Sequence, residues 1–341
     1  MQARDPVADL RRIAFLLERA GEATYRVRAF RRAAAAVGEV PADQLAQRAE
    51  AGTLKSLPGL GEVTARCVAE SLRGEEPVYL RRMLATEGHP IDEAAAALRG
   101  ALRGDLHSHT TASDGGSPMD EMVEAARGLG HEYLAITDHS VSLTVARGLD
   151  ADRRRAQLDE IAALNERGAP FRVLAGIEVD ILPDGALDCE DELLDRLDIV
   201  VASVHSGLRS PAAAMTRRML AAIRHPRTTV LGHCTGRRLG GGDDRHRGRR
   251  PPSEFDAEQV FAACAEYGVA VEVNCRPDRL DPPKRLLRLA IEAGCRLSVD
   301  SDAHAPGQLD WLGYGCERAA RCGADPAAII NTWPVERLLE R

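Results

Sequence analysis

The segment GDLHSHTTASDG (residues 104–115) places two histidines one residue apart after a short apolar start, then an aspartate and two glycines. Imidazole and carboxylate are the donors that hold zinc, manganese or iron, so the segment reads as metal-ligand chemistry. Other short apolar runs end in the same way. Asp138 and His139, Glu178, His205, His233, Asn274, and Asp302 with His304 stand at or just past the ends of EYLAITDH, FRVLAGIEV, DIVVASVH, TTVLGHC, VAVEVN and RLSVDSDAH. With His107, His109 and Asp114 they supply six histidines and three carboxylates as candidate ligands. One ion takes about four to six donors, so nine suit two or three divalent ions (Mn2+, Zn2+ or Fe2+) with positions left for water, and Glu178 is the natural bridge. Asp138 precedes a candidate ligand and is expected to orient a ring, with Asn274 in a similar supporting place. His89, His131, His225 and His246 are read as ordinary hydrogen-bonded residues, and Cys234 and Cys275 as small core residues.

The elements that must position these donors follow from the pattern between them. From residue 104 onward, β-branched and apolar runs alternate with helical stretches, which is the pattern of βα units around a parallel sheet. Seven strands ending in polar residues place those residues at one rim, where the ends of barrel strands converge. The expected architecture is therefore α/β, a (β/α) barrel over residues 104–341. Residues 1–95 differ: apolar periodicity marks helices in Ala8 to Arg19, Tyr25 to Ala36 and Ala42 to Ala51. In LKSLPGLGEVTARCVAE (54–70), Pro58, Gly59 and Gly61 form a tight turn before a helix whose first amides could face an anion. The boundaries are residues 1–95 for an all-α region, 96–103 for a linker, and 104–341 for the barrel.

Composition narrows the class. The chain has 341 residues and 44% hydrophobic content, enough for a sizeable core. No stretch of about 18 uncharged apolar residues occurs, and Met1 to Asp9 lacks the basic-then-apolar pattern of a signal peptide, so no membrane partner and a cytoplasmic location are expected. The eight cysteines show no CxxC pair, which excludes a zinc ribbon and favours free thiols. Net charge is −7, yet residues 1–100 carry 15 basic and 14 acidic side chains. The acidity belongs to the barrel region.

The motifs DLHSHTTASDG, AITDHS, GIEVDILPDG, VASVHSG, LGHCTGR and SDAH resemble the polymerase and histidinol phosphatase (PHP) domain. The resemblance is closest to the copy at the C-terminus of bacterial family X DNA polymerases; with ARGLD (146–150) and NTWP (331–334) it spans residues 103–341. GEATYRVRAFRRAA followed by LPGLGEVTA resembles the helix-hairpin-helix domain that opens those polymerases. The resemblance implies a distorted seven-stranded barrel with a trinuclear site. His107, His109, Glu178 and Asp302 would hold one ion; Glu178, His205 and His233 a second; Asp114, His139 and His304 a third. It further implies phosphoester hydrolysis by hydroxide formed from a metal-held water, with Arg147, and Arg237 beside it, as candidate phosphate contacts.

Arg26, Arg28, Arg31, Arg32, Lys55, Gly59 and Gly61 would hold DNA by its backbone without reading sequence, favouring a DNA 3′ end as substrate. The glycine- and arginine-rich stretch at 237–252 stands either as a further rim loop or as a solvated insertion. The family's palm and fingers domains have no room between residues 95 and 104, so polymerase activity is not expected. The helix EVTARCVAE carries no lysine for lyase chemistry, and Lys55 reads as a phosphate-facing or solvated residue. A small-molecule phosphatase of the histidinol phosphate type is the alternative enzyme, and a DNA-binding adaptor with structural metals the alternative without catalysis.

Overall fold

The computed structural model describes residues 4–86, 91–240 and 248–340, and these fall into two compact units that meet in sequence between residues 86 and 91. The stretch 241–247 of the 237–252 segment, together with His89 and His246, lies outside the described residues. The first unit is helical: α1 (Pro6–Arg19), α2 (Thr24–Gly38), α3 (Ala42–Glu50), α4 (Glu62–Leu72) and α5 (Val78–Thr86). Its core is built from one face of each helix, with Leu10, Ile13, Leu17, Phe30, Val37 and Val68 buried. Asp5 caps α1 by accepting the Val7 amide, and Thr64 closes the start of α4 by accepting the amide of Gly61.

The second unit opens with α6 (Glu93–Ala101), so the segment expected as a linker at 96–103 is mostly a helix. Asp92 caps it, and Ala95 and Leu98 are buried, because its apolar positions fall on one stripe that packs on a later helix. Then come seven strands: β1 (Gly104–Asp105), β2 (Tyr133–Ile136), β3 (Arg172–Asp180), β4 (Ile199–Ser203), β5 (Val230–Leu231), β6 (Ala270–Asn274) and β7 (Leu297–Asp300). They pair in sequence order and all in parallel. The helices between them are α7 (Met119–Gly128), α8 (Ala151–Gly168), α9 (Asp191–Leu194), α10 (Ala212–Ile223), α11 (Ala257–Tyr267) and α12 (Lys284–Glu292), with α13 (Leu312–Arg321) and α14 (Val335–Leu339) after β7. This is the expected seven-stranded α/β near-barrel, with regular strands shorter than the apolar runs suggested.

Period-two alternation decides which residues reach the interior. In β3, Val173, Ala175, Ile177 and Val179 join the cluster under the helices, while Leu174 joins the inner cluster and Glu178 shares its parity. In β6, Val271 and Val273 face outward, Ala270 faces inward, and Glu272 and Asn274 follow its parity. Between β7 and β1 the sheet is bridged at the rim by Ser108 and Ala303. At the opposite end the segment Ile329–Trp333 fills the gap. Asn331 gives its side-chain amide to the carbonyl oxygens of Val299 and Gly104 and accepts the Val299 amide at 2.7 Å. Its own carbonyl takes the Arg103 amide and the Tyr133 hydroxyl.

His131, just before β2, is 6% exposed, with Arg99 of α6 3.4 Å from its Nε2. Burial, with Arg99 adding to it, pushes its pKa down to about 3. The unfolded chain therefore binds the proton from about pH 6.5 downward while the folded one does not, so this residue's contribution is present above pH 6.5 and is lost as pH falls. Between pH 7 and 5 it should remove about 2 kcal/mol of stability. In His131→Gln that part of the acid sensitivity should vanish in denaturant melts at the two pH values. An unchanged slope would show that the ring titrates freely.

Candidate metal centre

The candidate ligands sit just beyond the regular strands, where the backbone leaves the sheet. His107 and His109 follow β1, His139 follows β2, His205 and His233 follow β4 and β5, and Asp302 and His304 follow β7; Glu178 alone lies within a strand. Their side chains converge. Glu178 Oε2 lies 3.0 Å from His139 Nδ1, 3.3 Å from His107 Nε2 and 3.5 Å from His109 Nε2, while Oε1 lies 2.8 Å from His233 Nε2 and 3.1 Å from His205 Nε2. Asp302 is 3.4 Å from His109, and Asp114 is 3.5 Å from His139 and 3.4 Å from His304. All nine expected ligands thus meet at one rim.

Donor atoms close enough to share an ion fall into three groups: His109, Asp114, His139 and His304; His107, His109 and Asp302; His139, Glu178 and His205. Compared with the expected partition, His109 and His139 each belong to two groups, and His233 joins through its contact with Glu178. The difference is geometric: both rings stand between neighbouring strands, 4.4 Å apart centre to centre.

The donors fit metal ions on a specific ground. His107 Nε2, both ring nitrogens of His109, His139 Nδ1, His233 Nδ1 and both oxygens of Glu178 are buried without a hydrogen-bond partner among the described residues. Leaving so many polar atoms unmet costs free energy unless something else binds them. The electrostatics agree. Burial opposes ionisation of Glu178, yet His205, His107, His139 and His233 hold its carboxyl well below the usual range. Burial and the charges of His304 and His139 push His109 down to about 3. For His205 burial works downward, but Glu178 and Asp180 prevail and raise it to about 9.

The β1 loop is held from beneath. Asp138 accepts the Thr110 amide at 2.8 Å, the Thr110 hydroxyl at 2.7 Å, the Ser113 hydroxyl at 2.5 Å and the Gln157 amide at 2.6 Å. It orients the loop carrying Asp114 and not a ring. The first of the two glycines after Asp114 has a steric reason: a Cβ at Gly115 would lie 2.7 Å from the carbonyl oxygens of His109 and Thr110. Asn274 donates to Asp302 Oδ2 at 3.1 Å and to Glu272 Oε2 at 3.3 Å.

Several site residues escaped the sequence reading. Glu272 and Asp180 accept from the Nδ1 atoms of His107 and His205. Glu272 was signalled by a lone charge inside the apolar run VAVEVN. Arg276 and Arg279, in the loop after β6, are 6% and 7% exposed and face Asp302 at 3.6 and 3.4 Å. Arg279 Nε and Nη1 have no hydrogen-bond partner among the described residues. Arg237 donates its Nε and Nη2 hydrogens to the carbonyls of Arg279 and Leu280, so it shapes that loop. Arg147 is exposed and donates to the Thr111 carbonyl at 3.2 Å.

In the helical unit, Arg26 is engaged with Glu22 and the Tyr79 hydroxyl, and Arg31 with Glu18 at 2.6 Å, because both point back towards acidic neighbours. Arg28, Arg32, Gly59 and Gly61 are exposed, as is Lys55, 3.7 Å from Glu62. No helix of the described residues is long and apolar enough to cross a membrane.

Two family models match the chain, one described as PHP domain over residues 105–276 and one as helix-hairpin-helix domain over residues 1–76. The DNA polymerase/3′-5′ exonuclease PolX of Bacillus subtilis is 39% identical over 232 residues, which is 68% of this chain and 39% of that protein. The match therefore spans well under half of that relative. A probable phosphatase of Thermoanaerobacter sp. is 28% identical over 67% of this chain and 89% of its own length. Among solved structures, histidinol phosphate phosphatase of Lactococcus lactis, in complex with zinc, L-histidinol and phosphate, is similar at 18% identity and a TM-score of 0.46, covering 66% of this chain and 95% of that one.

Proposed function

Because the chain belongs to the PHP domain family, we propose that it hydrolyses phosphoesters at the rim of its barrel with two or three divalent ions, and that its substrate is a DNA 3′ end. One observation carries the reading: nine ligand-type side chains from six of the seven strand ends meet at one rim, and buried ring or carboxylate atoms of His107, His109, His139, His233 and Glu178 have no hydrogen-bond partner among the described residues. Ions bound there would lower the pKa of a coordinated water and withdraw charge from the phosphate oxygens. The chain's own residues supply the rest. Asp302, His107 and His109 form one ligand face, Asp114, His139 and His304 another, and Glu178 stands between them with His205 and His233. Arg279, buried and with unused N–H groups beside Asp302, faces the centre as a donor for a phosphate oxygen, and Arg147 stands as a second at the open side.

The helical unit supports DNA as the partner, held by its backbone at Arg28, Arg32 and Lys55 with the amides around Gly59 and Gly61. Similarity to probable phosphatases that match the barrel over most of their length favours a small phosphate ester as the second reading. Nucleotide incorporation is not part of the proposal, since α5 of the first unit ends at Thr86 and α6 of the second begins at Glu93, which leaves no segment for a polymerase domain between the units.

The test is a panel: protein loaded with manganese, zinc or iron, given end-labelled single-stranded, gapped and 3′-phosphorylated DNA, and histidinol phosphate. Shortening of DNA or release of its 3′ phosphate is expected. Turnover of histidinol phosphate alone would replace the DNA reading with the second one, and no turnover of any ester would end both.

Arg28→Ala with Arg32→Ala should weaken DNA binding and reduce the slope of log affinity against log salt by about 2, as two fewer phosphates are neutralised. Hydrolysis of a chromogenic phosphodiester should be unchanged. Arg26→Ala with Arg31→Ala should instead lower the melting temperature and leave most of the salt slope. Equal slopes in all three proteins would remove the helical unit as a DNA clamp.

A further inference from the structure

Glu272 is fully buried in the middle of β6, on the strand face that looks into the barrel. Its two oxygens are used differently. Oε1 accepts the His107 Nδ1 proton at 2.6 Å; Oε2 accepts the backbone amide of His233 and, at 3.3 Å, the side-chain amide of Asn274. A carboxylate is the side-chain group that can accept on both sides at once. We propose that Glu272 is a positioning residue of the metal centre: it fixes His107 with its proton on Nδ1, so that Nε2 stays open to an ion, and it ties the strand end bearing His107 to the one bearing His233.

The proposal deepens the metal-dependent reading above and rests on it. With its proton on Nδ1, His107 presents a bare Nε2, the atom that lies 3.3 Å from Glu178 and has no hydrogen-bond partner among the described residues. A ligating imidazole nitrogen must be unprotonated, so the partner of the opposite nitrogen decides whether the ring can bind. The link to His233 adds a second effect. His107 belongs to the donor group with Asp302, and His233 contacts the opposite oxygen of Glu178 from His107, so one buried carboxylate holds the spacing of two ligands across the bridge.

Glu272→Gln separates this from a merely structural role. Glutamine keeps the shape but offers one acceptor and one donor end. Two donors crowd the Oε2 position, so the amide oxygen belongs there, and the NH2 group must face His107 Nδ1. The ring then accepts at Nδ1 and carries its proton on Nε2, closed to metal. Titration with Mn2+ or Zn2+ should show one ion bound about 10- to 100-fold more weakly, while metal-free protein melts within a few degrees of the parent.

In 15N–1H correlation spectra of metal-free protein, at a pH where the ring is neutral, His107 should change from the Nδ1–H to the Nε2–H form. Parental metal affinity in Glu272→Gln, or a His107 tautomer unchanged by the substitution, would overturn the proposal. Should the variant not fold, the parent alone decides: zinc-loaded protein must show a slowly exchanging downfield Nδ1–H resonance from His107, and its absence would overturn the assignment. A parent that binds its ions but hydrolyses no ester would end the phosphoesterase reading and leave the tautomer comparison standing.

Discussion

Glu178→Gln should abolish hydrolysis of every phosphoester, by a factor on the order of 10³ or more, and should lower bound metal by at least about one equivalent while the barrel still folds. The carboxylate lies within 3.5 Å of ring nitrogens of five histidines drawn from four strand ends, so it is the point through which the three donor groups communicate. Glutamine occupies the same volume, and the backbone bonds of residue 178, its amide to Thr137 and its carbonyl from Ser140, do not involve the side chain. What disappears is the negative charge that balances the rings and one of two ligand oxygens, since an amide nitrogen does not bind these ions. Elemental analysis beside an activity assay checks the result. A variant with the full complement of ions and parental turnover would mean that Glu178 does not bridge.

Arg154→Met should cost about 3 to 5 kcal/mol of stability, the range for removing one partner from a buried charged network. That is a large share of the roughly 5 to 15 kcal/mol that holds a domain folded. Arg154 is 2% exposed and sits in the first turn of α8. Its Nη1 donates to Gln157 at 2.7 Å and to the Gly176 carbonyl at 3.0 Å; its Nη2 donates to the carbonyls of Asp138 at 2.7 Å and His139 at 3.1 Å. Methionine fills much of the space and satisfies none of these acceptors. Because two of them are the backbone that carries His139, metal affinity should fall together with stability. Denaturant unfolding of metal-free protein gives the first quantity and metal titration the second; a loss below about 1 kcal/mol would show that water replaces the guanidinium.

The strand order and the gathering of the candidate ligands at one rim were legible in the sequence because both leave local marks. Parallel strands covered by helices read as apolar runs, and a polar residue just past such a run has one place to go. His107, His109, His139, His205, His233, Asp302 and His304 follow that rule, whereas Glu178 lies inside β3 and Asp114 in the loop after β1. Residues whose role depends on closure were not legible. Glu272 meets His107 across 165 residues of chain and Arg276 faces Asp302 from a neighbouring loop, contacts that exist only once β6, β7 and β1 are adjacent. Arg26 and Arg31 show what spacing alone leaves out: their place beside the hairpin suggests a DNA face, but a helix surface also holds acidic partners, and Glu22 and Glu18 pair with them in the free protein. The alanine-rich segment 91–103 reads from sequence as either a helix or a linker because its alanines carry little hydrophobic signal; burial of Ala95 and Leu98 docks it as helix α6.

The plug formed by Ile329–Trp333 has a kinetic consequence. Asn331 bonds to Gly104 across 227 residues and Tyr133 reaches the Trp333 carbonyl across 200, so the seam beside β1 is sealed by residues that leave the ribosome after all seven strands. Strands β1 to β7 can pair in order as they emerge, but the two ends of that series stay unsealed at the base until residues 329–333 arrive. Contacts of such sequence separation are entropically expensive and form late. Synthesis therefore passes through an open sheet with an exposed edge at β1, a surface that chaperones bind and that aggregates when left uncovered.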